Sequence, residues 1–93
     1  MLGIDAVVPR VKSNSMNPPE FFHKAVDYLE QREWEAAHRI VQSEDSADAC
    51  WLHGIVHVLE GDLVNARYWY ARAGRAFSSD AASEIVAARK LMS

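Results

Sequence analysis

The amino-acid sequence predicts an all-α fold of about five helices, stacked as antiparallel hairpins with the last helix as a C-terminal cap. Two observations predict it. Apolar residues recur at three- and four-residue spacing in the segments between turns, as the buried stripe of an amphipathic helix requires. Gly61-Asp62 then divides two such segments and folds one back on the other, and the small residues Gly54 and Ala66 let the two axes approach closely.

The elements follow in order. Residues 1–16 mix Val, Ile and Pro without helical periodicity, end in Ser13-Asn14-Ser15, and read as an N-terminal arm; residues 17–93 form one helical domain. Asn17-Pro18-Pro19-Glu20 marks a helix start, with an N-cap Asn, Pro at the first helical position and Glu at the third. Phe21, Phe22, Ala25, Val26, Tyr28 and Leu29 supply its apolar stripe as far as about Gln31. A short second helix, from about Trp34 to Gln42, aligns Trp34, Ala37, His38 and Val41 and depends on packing for its stability. Ser43-Glu44-Asp45-Ser46 is a capping turn before a third helix, about Ala47 to Leu59, that is apolar nearly all round and therefore central. Gly61 suits the left-handed residue that closes it, and Asp62 caps a fourth helix running to about Gly74. Ser78-Ser79-Asp80 starts the fifth, which reaches Leu91 with Ala82, Ile85, Val86 and Arg89 on one face.

Ninety-three residues build one domain with a single modest core. Hydrophobic residues at 49% and charged residues at 25% match a globular chain rather than a disordered or membrane one. A formal net charge of -3 gives no global attraction to phosphate backbones. Nucleic acid is therefore set aside: Arg67, Arg72 and Arg75 are expected to pair with nearby acids or to favour a helix end. The lone Cys50 cannot form an intramolecular disulfide, which fits a cytoplasmic protein. Asp5, Pro9, Arg10 and Lys12 break up the opening apolar stretch, so it does not read as a signal peptide, and no segment reaches the roughly twenty apolar residues of a membrane span.

Trp34 and Ala37 recur as Leu63 and Ala66 at the same offset, each pair following a tight turn. With Gly54, Gly61-Asp62, Ala66 and Tyr70, the second hairpin resembles the tetratricopeptide repeat. The first hairpin matches through Phe21, Lys24, Ala25, Tyr28, Ala37 and Val41, so the likeness covers residues 19–75. The departures are specific. Cys50, His53 and His57 stand at that pattern's Trp, Leu and Tyr positions, and the interval between hairpins is about five residues shorter than the typical thirty-four. The block His-x3-His-x2-Glu-Gly-Asp-x2-Asn-Ala-x-Tyr-Trp-Tyr-x-Arg-Ala-Gly is also similar to that of small uncharacterised bacterial and fungal helical proteins, a likeness that implies no activity.

The tetratricopeptide likeness implies a concave surface lined by Phe22, Val26, Leu29, Trp51, Ile55, Val58 and Leu59. Such an apolar groove would make the chain a protein-interaction or oligomerisation module, with a second copy of itself as the expected partner, unless the last helix or the arm fills it. The other candidate is His53 with His57, one helical turn apart and able to converge on one ion. Glu60 continues the stripe, Cys50 begins it, and His38 approaches from the side if the hairpins stack as that likeness implies. Imidazoles with a carboxylate suit zinc or another first-row metal. The competing reading makes these histidines core residues paired with a carboxylate, a tyrosine or a carbonyl, for instance through a Glu60 network with Arg67, Arg72 or Tyr68, and no cofactor is then needed. The spacing lacks the intervening Glu of metalloprotease helices, so no catalytic role is assigned. Of Tyr68-Trp69-Tyr70, Tyr70 belongs to the core, Trp69 packs beside it and Tyr68 faces solvent or a neighbour.

Overall fold

A computed structural model of the chain describes residues 18–91, so the expected arm and the Asn17 cap lie outside the described residues. Within them the chain forms five helices: α1 (Pro18–Glu30), α2 (Trp34–Val41), α3 (Ala47–Leu59), α4 (Leu63–Ala73) and α5 (Ala81–Leu91). The stops are built alike. The amide of the residue after the left-handed position reaches back five residues at three helix ends, Glu33 to Tyr28, Asp62 to His57 and Arg75 to Tyr70, at 2.8, 2.9 and 3.1 Å. Gly61 and Gly74 take the left-handed conformation, φ 81° and 71°, without the penalty a Cβ brings. At the first stop a non-glycine residue, Arg32, holds φ 62°, a turn that no glycine announces. Three of the starts use side chains, α2 having none: Ser46 accepts from the Ala49 amide, Asp62 from that of Asn65 and Asp80 from that of Ser83.

The central helix is α3, and Ala49 through Val56 are buried without interruption. It packs most extensively on α4 and also against α1, α2 and α5. Each large apolar side chain so buried contributes about 1.5–3 kcal/mol. The α3–α4 contact is close because Gly54 carries no side chain. A Cβ there would lie 2.6 Å from Cδ1 of the Tyr70 ring and 3.3 Å from the Ala66 carbonyl oxygen, so the expected contact between small residues is one in which the glycine receives a tyrosine ring.

The terminal helix packs on α1 and α3 through a face rotated from the one its sequence suggests. Ile85 and Ala88 are buried, whereas Ala82 and Val86 are exposed. The rotation brings Glu84 inward, where one oxygen accepts from the Trp51 indole at 2.9 Å and from the Tyr70 hydroxyl at 2.8 Å. Arg89, on the same side, pairs with Asp27 and Glu30 of α1. This packing changes the reading of the apolar groove. Phe22, Val26, Leu29, Trp51 and Ile55 are buried in the core, and Val58 and Leu59 are partly buried against it, so these residues form interior rather than a lined surface. No helix among the described residues is long and apolar enough to cross a membrane.

Candidate metal centre

The site is assembled from three helices. Helices α2 and α4 both pack on α3 but not on each other, so α3 forms the floor of a groove between them. His53 and His57 lie one turn apart on that floor, His38 stands on α2, and Trp69 on α4 closes the other side. The ligand atoms of His38, His53 and His57 all lie within 4.8 Å of one another, whereas Cys50 and Glu60 do not join the group. His53 is buried, and His38 and His57 are half-buried.

The contacts around each ring differ. Nε2 of His38 faces Nε2 of His53 at 3.0 Å, so one of these nitrogens carries the proton and the other accepts it. Nδ1 of His53 has no hydrogen-bond partner among the described residues. Its ring is instead stacked on Trp69, with centroids 3.9 Å apart and planes 8° from parallel. His57 lies nearly parallel to His53 at 5.1 Å. Nδ1 of His57 meets Glu60 at 3.1 Å, which leaves Nε2 to face a ligand.

Electrostatics follow from this enclosure. Burial, and then the neighbouring His38 and His57 rings, push His53 down to about 4, because a charged imidazole there would lose its water and meet like charges. At neutral pH His53 is therefore an uncharged donor of a lone pair.

The distances can be set against a metal's requirements. Two imidazole nitrogens bound tetrahedrally at about 2.0–2.1 Å from zinc stand about 3.3 Å apart. The His38–His53 pair is already within a few tenths of an ångström of that separation. Bringing in the third ring needs a movement of about 1.5 Å from the 4.8 Å limit of the cluster, within reach of a half-buried side chain that turns about its rotamer.

The arginines do not form the expected ionic network with Glu60. Arg67 lies 4.3 Å from the Phe77 ring centroid, Arg72 5.2 Å from that of Trp69, and Arg75 3.5 Å from that of Trp51. Each is drawn to the electron-rich face of an aromatic ring. Trp69 is the site residue that the sequence reading misplaces, since it stacks on His53 instead of packing beside Tyr70. Hairpin arithmetic contains the signal: His53 and Trp69 lie eight residues either side of Gly61, so an antiparallel pair folded there brings them level.

No protein-family model, no curated protein and no solved structure matches this chain.

Proposed function

We propose that this chain is a metal-binding protein, with His38, His53 and His57 as ligands for zinc or another divalent first-row ion. The observation that carries this reading is the convergence of three imidazole nitrogens from two helices within 4.8 Å. Neutral imidazoles are the nitrogen donors these ions favour. Glu60 acts through His57: a carboxylate on one ring nitrogen fixes the tautomer and makes the other a better donor. A bound ion would also tie α2 to α3. The tetratricopeptide-like stacking of the hairpins belongs to the same proposal, because it supplies a groove between alternate helices.

Elemental analysis of protein purified without chelator tests the reading, together with thermal unfolding in added zinc. One bound ion per chain, and a rise in Tm that His53→Ala abolishes, are expected. A metal-free protein whose Tm ignores zinc would end it.

A second reading keeps self-association. Val64 and Tyr68 are 81% and 53% exposed and sit one turn apart on α4, with Leu63 beside them at 42%. An apolar strip of this kind is a surface on which a second copy can pack. Light scattering that gives a dimer for the wild type and a monomer for Val64→Asp supports it.

A further inference from the structure

Among the described residues the histidine cluster offers three ligands and no fourth. We infer that a metal held by His38, His53 and His57 keeps a coordination position for a small exogenous anion, such as a carboxylate or azide. The inference rests on the metal-binding reading above.

Charge is the first argument. All three ligands are neutral, so the ion retains its full positive charge, and no described carboxylate or thiolate joins the group to offset it. Glu60 is the nearest acid on the floor helix, and its contact is with Nδ1 of His57, on the far side of that ring from Nε2. Asp62 is also occupied, accepting from the amide and side chain of Asn65 at 3.3 and 2.6 Å.

Access is the second. Helices α2 and α4 do not meet over α3, and two of the three imidazoles are half-buried rather than enclosed. A structural zinc site is closed by four protein ligands, whereas a three-ligand site in contact with solvent admits an exchangeable fourth. The wall adds positive charge: the Arg72 guanidinium lies 5.2 Å from the centroid of Trp69, the ring that stacks on His53.

Cobalt(II) reports on this directly, because the position and intensity of its visible d–d bands follow coordination number and ligand type. Chelator-stripped full-length protein is loaded with one equivalent of cobalt(II) and titrated with azide, then separately with acetate, in a non-coordinating buffer. A saturable change of the bands, lost together with cobalt binding in His57→Ala, is the result expected. Cobalt that binds with a spectrum indifferent to both anions would mean that the chain itself fills the fourth position. That outcome overturns the inference and leaves the metal-binding reading intact. Failure of cobalt to bind at all overturns both.

Discussion

Helix α3 carries polar groups into the interior on two sides, and the two sides are satisfied differently. Toward α5, the Trp51 indole and the Tyr70 hydroxyl converge on a single carboxylate oxygen of Glu84, and Arg75 lies 3.5 Å from the centroid of the Trp51 ring. Two donors meet an acceptor, and a cation sits over the indole ring. Burial, and then Glu84, hold the Tyr70 phenol well above its ordinary range, so it remains a donor. Toward the groove, three identical imidazoles share one nitrogen-to-nitrogen hydrogen bond and one carboxylate. Complementary groups that saturate each other complete a core, whereas the imidazole cluster leaves Nδ1 of His53 without a partner among the described residues. The first side is thus a structural clasp, and the second is the proposed metal site.

The largest effect expected is on the clasp. Glu84→Ala leaves the Trp51 and Tyr70 donors without their acceptor, and a loss of about 3 kcal/mol in urea unfolding follows, with zinc affinity unchanged. Glu84→Gln, which keeps a carbonyl oxygen, restores part of it. Gly54→Ala drives a methyl into the Tyr70 ring and displaces the same hydroxyl from Glu84, for a cost of about 2 kcal/mol by chemical denaturation.

Acid separates the two sides. The metal-free protein has its full His53 contribution above pH 6.5, where the ring is neutral in both states. As pH falls toward about 4, the unfolded chain binds the proton that folded His53 refuses. Stability therefore declines through that window by about 3 kcal/mol. His53→Leu flattens this part of the profile, and a decline that persists unchanged in the variant would assign it elsewhere. The smallest effect is at Glu60, where Glu60→Gln lowers zinc affinity about tenfold in chelator competition and leaves the metal-free Tm within a degree or two.

Most helices were legible because their signals are local. Ser46, Gly61, Asp62 and Gly74 act through their own backbone neighbours, so the limits of α3 and α4 follow from the residues themselves. The face of α5 was not, because its weak amphipathic pattern left the choice to tertiary partners, and Glu84 points inward only because Trp51 and Tyr70 wait there. The apolar groove failed for a related reason: an apolar face reads the same whether it awaits a partner or is covered by the chain's own last helix. Within the site, the pairing of His53 with His57 is visible in the four-residue spacing on one helix. The approach of His38 follows only once α2 is laid against α3, and the Trp69 stack depends on where the hairpin turns.

The metal-binding proposal places one ion among three imidazoles in the groove between α2 and α4. Crystals grown with one equivalent of zinc, measured across the zinc absorption edge, test it most directly. The claim predicts a single anomalous peak about 2.0–2.1 Å from Nε2 of His38, Nε2 of His53 and the ring nitrogen of His57 that Glu60 does not hold. A map with the three histidines well ordered and zinc only at other surface sites would contradict it.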